Sequence, residues 1–229
     1  MSLIKINNKL IKLNNKLVGL NVKPYNPLDL PAYTIRLKCN KWVTPTFYKG
    51  TPVLVDAEQG IWDLTYVNNN WDGLFAVNYY IFDVLGASTI GITSMNNMFR
   101  ECYNLSSVQV FNTSNVNDVG EMFYYCGALT SAPLFDTSNV TSMYQMFHSC
   151  GSLTTVPLLD TSKVTNMDKM FYNCLNVESG ALALYQQAST QINPPTGHEG
   201  TFLNCGSNTQ TGSAELAQIP ASWGGSPWP

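Results

Sequence analysis

The chain has 229 residues, of which 45% are apolar and only 12% charged, with a formal net charge of −3. That length can bury a real core in one sizeable domain or two small ones, and the apolar share excludes wholesale disorder. No cluster of Lys and Arg could track a phosphate backbone, so nucleic-acid binding is not expected; no run approaches the roughly 18 apolar residues of a membrane span, so neither is membrane insertion.

The first element is a heptapeptide repeat, IKINNKL (Ile4 to Leu10) and IKLNNKL (Ile11 to Leu17), followed by VGLN. Lys and Asn interrupt its apolar residues every three or four positions, so it lacks the uninterrupted core of a signal peptide, and export by a cleaved leader is not expected. Leu3, Ile6, Leu10, Leu13, Leu17 and Leu20 alternate spacings of three and four, as a coiled coil would. That register leaves Ile4, Ile11 and Val18 on the outer face, and the paired Asn residues are poor helix formers. Short strands joined by Asn-Asn turns account for both features better. With apolar side chains on both faces, the segment is expected to dock on the rest of the chain, on sister subunits or on a larger assembly.

Residues 29–94 read as a β-rich cap. AYTIRLKCNKWV and TPVLVDAEQGIWDLTYV (Thr51 to Val67) are rich in β-branched and aromatic residues and bounded by Gly, Pro and Asn, which predicts strands with Cys39 in the core. LFAVNYYIFDVLGAST, Leu74 to Thr89, reads as an amphipathic helix ending near Gly86.

Residues 95–176 repeat every 24 positions. MFREC, MFYYC, MFHSC and MFYNC begin at Met98, Met122, Met146 and Met170, and NTSNV, DTSNV and DTSKV precede the last three. Three residues after each cysteine stands Leu105, Leu129, Leu153 or Val177. Val164, Met167, Phe171 and Cys174 fall at i, i+3, i+7 and i+10, which predicts a short helix; Thr161, Ser162 and Thr165 are its candidate caps, with Asp168 placed as in a capping box. LTTVPLLD, with Leu153, Val156 and Leu158, predicts a leucine-rich strand. A unit of strand, turn and short helix cannot bury its own apolar face, but stacked units can. The fold class expected is therefore α+β: a short curved leucine-rich-repeat-like solenoid, a strand plus short helix per 24-residue repeat, with a β-rich N-terminal cap and a degenerate C-terminal cap. Cysteines at a fixed repeat interval, Cys102, Cys126, Cys150 and Cys174, read as buried core thiols rather than a disulfide framework or a zinc site. Residues 177–229 complete the chain, with a longer helix in NVESGALALYQQAST, a loop through NPPTGHEG, a degenerate unit TFLNC ending at Cys205, and a Trp/Gly/Pro tail.

The register F-D-T-S-N-V-T-x-M-x-x-M-F-x-x-C-x-x-L over residues 95–176 resembles the BspA-type, leucine-rich-repeat-like bacterial surface protein repeats. That resemblance implies extracellular adhesins, lipoproteins and virion-associated proteins of gut bacteriophages. Residues 1–28 would then attach the chain to other virion proteins, and the repeats would face outward.

The residues themselves point to no enzyme. Asp136 and Asp160 sit in equivalent turns where capping explains them, the two histidines His148 and His198 are fifty residues apart, and no nucleophile elbow, phosphate loop, zinc motif or calcium loop occurs. A glycosidase could still hide two carboxylates far apart in sequence, for example Asp63 and Asp72 in the upstream cap. No catalytic residue, metal ligand or cofactor is expected. Two columns are candidates for a partner: Arg100, Tyr124, His148 and Tyr172 on the helix side, and Ser107, Ser131 and Thr155 on the strand face. The bland reading of the first column is that its rings cover the neighbouring repeat. The expectation is a non-enzymatic, homo-oligomeric virion fibre or decoration protein that contacts a host cell-surface protein or glycan. The alternatives are a secreted bacterial adhesin, extracellular or on the cell surface, and a polysaccharide-degrading enzyme carried on a virion.

Overall fold

A computed structural model describes residues 30–40, 47 and 49–226 of the chain. The heptapeptide segment, and with it the choice between strands and coiled coil, lies outside the described residues. The fold is mixed α+β, with one five-stranded sheet and two short α-helices. Strands β1 (Thr34–Cys39), β2 (Thr51–Asp56), β3 (Ile61–Thr65), β4 (Ile81–Ala87) and β5 (Ser107–Val108) lie in the order β2-β3-β1-β4-β5. All neighbours are antiparallel except β4 and β5, which pair in parallel with Asp83 opposite Ser107 and Val84 opposite Val108. The sheet was legible in its first three strands, and Cys39 is buried as expected.

Beyond the sheet, backbone bonds tie each 24-residue unit to the next. The N–H groups of Asn97, Phe99 and Glu101 donate to the carbonyls of Gly120, Met122 and Tyr124; those of Glu121, Phe123 and Tyr125 donate to Tyr144, Met146 and His148. The alternate N–H groups close turns on their own unit, Met98 to Met95, Arg100 to Asn97 and Cys102 to Phe99. Half of the amides are thereby taken from the i→i−4 ladder that an α-helix needs. The expected short helix in each unit is accordingly a run of turns, and two residues in every unit are left-handed, as at Glu121 (φ 53°) and Tyr125 (φ 58°). The expected strand per unit reduces, in residues 95–176, to the two-residue β5. Buried residues there run Leu153, Val156, Leu159 with Leu158 exposed, a period of three rather than the alternation of a strand.

The helix expected over Leu74 to Thr89 is also absent. Residues 74–80 are turns and 81–87 are β4. Isolated bridges join Asn70 to Ser94, Ser94 to Asp118, Asp118 to Ser142, Ser142 to Asn166, and Asn166 to Gly197. The unit pattern thus begins one repeat earlier than the cysteines suggest, with Trp71, Leu74 and Phe75 where later units carry Met95, Met98 and Phe99.

The core is a set of parallel columns. Phe75, Phe99, Phe123, Phe147, Phe171 and Phe202 stack face to face, with ring centroids 5.4, 5.6, 5.3, 5.2 and 6.1 Å apart. Four cysteine thiols donate back to a phenylalanine carbonyl of the preceding unit: Cys102 to Phe75 at 3.2 Å, Cys126 to Phe99 at 3.1 Å, Cys150 to Phe123 at 3.1 Å and Cys174 to Phe147 at 3.0 Å. Burial pushes the Cys39, Cys102 and Cys174 thiols up to about 12. Trp223 closes the far end, its carbonyl taking the Phe202 N–H at 2.8 Å and its ring lying flat on His198 at 4.4 Å.

The two helices sit together at that end. Helix α1 (Ala181–Thr190) starts at Gly180, whose φ of 97° and whose Cβ position 2.3 Å from the Val156 carbonyl oxygen admit only glycine. Helix α2 (Gln210–Leu216) is capped by Thr209, whose hydroxyl accepts the Gly212 N–H at 3.0 Å. From α2, Glu215 accepts the N–H groups of Gly180 and Leu182, so its carboxylate caps α1 as well.

Candidate functional site

The first predicted column comes together as one object. The Arg100 guanidinium lies over the Tyr124 ring at 4.4 Å. Tyr124 stacks on His148 at 4.7 Å, and His148 on Tyr172 at 4.8 Å with planes 14° apart. Each is carried one residue after the core phenylalanine of its unit, so the stacking of Phe99, Phe123, Phe147 and Phe171 sets the spacing of this outer column too. Ring faces at these separations are spent on each other, which is the covering role expected of tyrosines on the shoulder of a repeat.

Electrostatics follow from the packing. Arg100 is held by ion pairs to Glu101, at 3.1 Å, and to Glu121. His148 is only 8% exposed, and burial, with Lys169 and Arg100 nearby, lowers its basicity so that the neutral ring is favoured. Its Nδ1 sits 2.9 Å from the Ser149 hydroxyl.

Three tyrosines that sequence reasoning did not single out extend the column. Tyr79 stacks on Tyr103 at 5.4 Å, Tyr103 meets Tyr125 edge-on at 6.5 Å, and Tyr125 packs against Tyr124 and His148 at 4.7 and 5.6 Å. Tyr79, Tyr103 and Tyr125 are exposed. The result is a ridge of six contiguous rings. Its signal was present: Tyr79 and Tyr103 are one repeat length apart, and Tyr125 follows Tyr124 in MFYYC. In later units Gly127 and Gly151 occupy the Tyr103 position, with open space where a side chain would stand.

The second predicted column is more ordinary. Ser107 donates to Asp83 at 2.7 Å, while Ser131 and Thr155 are exposed. The expected turn role of the Asn/Asp-Thr-Ser stretch holds: Asn112, Asp136 and Asp160 each accept the N–H two residues on, at 2.9, 3.0 and 2.8 Å. The buried threonines reach further, Thr113 to the Asp136 carbonyl at 2.8 Å and Thr137 to the Asp160 carbonyl at 2.9 Å. The cap of the turn run is Asn166 rather than Thr161, Ser162 or Thr165; its side chain accepts the Asp168 N–H at 2.9 Å, and Asp168 in turn accepts from Glu199 at 2.7 Å.

Asp63 accepts from Nε and Nη2 of Arg36, each at 2.5 Å, and Asp72 accepts from the Asn96 N–H and the Ser94 hydroxyl. Both carboxylates are therefore held in structural roles. Among the described residues no three His, Cys, Asp or Glu side chains gather as metal ligands, and no helix is long and apolar enough to cross a membrane.

Residues 82–192 match the family model described as "Mycoplasma protein of unknown function, DUF285". No curated protein and no solved structure matches the chain. The match covers the repeats, from β4 through α1, so it is this stacked part of the chain that is similar to the Mycoplasma family.

Proposed function

We propose that the chain is a non-enzymatic attachment protein, a short solenoid of leucine-rich-repeat-like units that presents the ring ridge to a host cell-surface protein or glycan. The observation that carries this reading is the ridge itself, six contiguous rings from Tyr79 to Tyr172 with three of them exposed. Its exposed tyrosines Tyr79, Tyr103 and Tyr125 offer ring surface and phenol hydroxyls, suited to a hydroxyl-rich or amide-rich partner. The setting proposed is a virion, as a fibre or decoration protein, in homo-oligomeric form, with residues 1–28 joining it to other virion proteins. This rests on the resemblance of the repeat. A bacterial surface adhesin is the second reading, favoured by the family description, which names a cellular organism.

The double variant Tyr103→Ala/Tyr125→Ala tests the ridge, since both side chains are exposed and neither holds the core. Binding of labelled protein to host cells is expected to fall at least tenfold with an unchanged melting temperature; undiminished binding would remove the ridge from the function. Fractionation decides the setting: recovery with purified particles supports the virion, and recovery with the cell envelope supports the adhesin. New reducing ends after incubation with host capsule would overturn the non-enzymatic reading.

A further inference from the structure

A cavity of about 610 Å³ opens beside the sheet, lined by Leu30, Leu85, Ile90, Val110, Phe111 and Leu134 among others, with Asp136 at its rim. It continues into an exposed aliphatic stripe. Ile90 is 69% exposed, Val110 62%, Leu134 64% and Leu158 61%, the last three one repeat length apart. Single exposed apolar residues are ordinary, but a contiguous row running into an apolar hollow is a surface prepared for an occupant. Asp136 and Asp160 stand exposed two residues after Leu134 and Leu158, and bonds from Ser138 and Ser162 keep these carboxylates ionised to lower pH than usual.

We infer that the occupant is the chain's own N-terminal segment, residues 3–20, docked in cis. Three observations select it. The described backbone begins at Leu30, and Leu30 itself lines the cavity, so a segment tethered to it is tethered at the cavity wall. The segment carries Leu3, Ile4, Ile6, Leu10, Ile11, Leu13, Leu17, Val18 and Leu20, an apolar surplus that matches the unfilled apolar row. Charge is complementary: residues 1–29 hold five lysines and one carboxylate, whereas residues 30–229 hold seven cationic and fourteen anionic side chains. Lysines recur at every third or fourth position of the segment, and the stripe is flanked by Asp136 and Asp160. Tethering decides between cis and trans, because a segment joined to the cavity by a short linker meets it at an effective concentration of about millimolar, above that of a second chain in dilute solution. This inference is independent of the ridge; it competes with the proposed use of residues 1–28 to join other virion proteins, and its failure would leave that proposal standing.

The test is a photo-cross-linking residue at position 134 of the full-length protein, read by peptide mapping in an equal mixture of isotopically heavy and light chains. Cross-links from position 134 to residues 3–20 of the same isotope are expected. Mixed-isotope cross-links would overturn the cis docking in favour of a second copy, and cross-links that avoid residues 1–29, or a small molecule recovered from the cavity instead, would overturn the inference entirely. Hydrogen exchange gives a second readout on Leu134→Asp, an exposed position whose change leaves the core intact. Protection of the amides of residues 3–20 is expected to drop at least tenfold, and unchanged protection would count against the docking.

Discussion

At the scale of single residues, the cysteine column shows how a side chain that looks reactive becomes structural. A thiol is small enough to be buried in the core and still supplies a donor for a buried carbonyl, as Cys126 does for Phe99. In the folded chain burial raises the thiols of Cys39, Cys102 and Cys174 to about 12 from an unfolded value of 9.0, and those of Cys126, Cys150 and Cys205 shift the same way. The folded state therefore holds these protons while the unfolded state releases them. The stability linked to them is complete below pH 9 and is lost progressively as pH rises above it. Urea unfolding at pH 8 and pH 10 checks this, and a thiol reagent at pH 8 is expected to label the native protein only as fast as it unfolds. His148 works in the opposite pH range. Its burial depresses the folded value, so the unfolded chain takes up the proton first and stability declines as pH falls below 6.5. The variant His148→Phe keeps a stackable ring between Tyr124 and Tyr172 and is expected to flatten the stability profile between pH 6.5 and pH 5; an unaltered slope would place the titrating group elsewhere.

At the scale of elements, the turn run that replaces the expected helix carries its own prediction. Gln145 has φ 52°, and the equivalent positions in the first and last units are Gly73 and Gly200. A helix would charge Gln145→Gly about 1 kcal/mol, whereas at a left-handed position glycine removes the steric conflict and the change is expected to be neutral or stabilising. Gln145→Val, with a branched Cβ, is expected to cost about 1–2 kcal/mol at the same site, and the two melting temperatures together distinguish turn from helix. The sequence made the content of each unit readable and hid its backbone. Met, Phe, Cys and Leu were identified as core because they recur, and all of them are buried. The same spacings of three and four serve a helix and a series of i→i−3 turns equally well, and only the destination of the amides, which is a long-range property, separates the two. Leu158 and Leu159 illustrate a similar limit, since adjacent leucines carry no mark of which one points inward. The upstream unit escaped notice because Trp71, Leu74 and Asn78 replace Met, Met and Cys there. Chemical identity had changed while the pattern of burial and bonding had not. The ring column was legible as a register, yet its extension through Tyr79, Tyr103 and Tyr125 crosses between positions of the repeat and follows only from the packing.

At the scale of the whole molecule, the question is whether the units behave as interchangeable layers. Each described unit from Asn70 to Thr190 bonds its neighbours through the same amides and stacks its phenylalanine on theirs, so the stabilising interactions are nearest-neighbour in kind. Truncating one ring in mid-column, Phe147→Ala, opens a hole that the rigid neighbours at 5.3 and 5.2 Å cannot close, and is expected to cost about 3–5 kcal/mol. Removing an entire layer should hurt less than its size suggests. Deleting residues 123–146 joins Met122 to Phe147, which reproduces the native Met146–Phe147 junction and lets Phe99 stack on Phe147. The shortened chain is expected to unfold cooperatively, at a lower temperature because one interface between layers is gone. Deleting residues 123–134 instead joins Met122 to Phe135, placing a turn sequence where the next ring must stand, taking away Phe123, on which Phe99 stacks, and the Tyr124 carbonyl that accepts the Glu101 N–H. That chain is expected to lose its cooperative transition. Calorimetry on the two deletions would separate a modular stack from a single interlocked core. If the 24-residue deletion proved as damaging as the 12-residue one, the proposed solenoid of interchangeable layers would fail in favour of a single interlocked core.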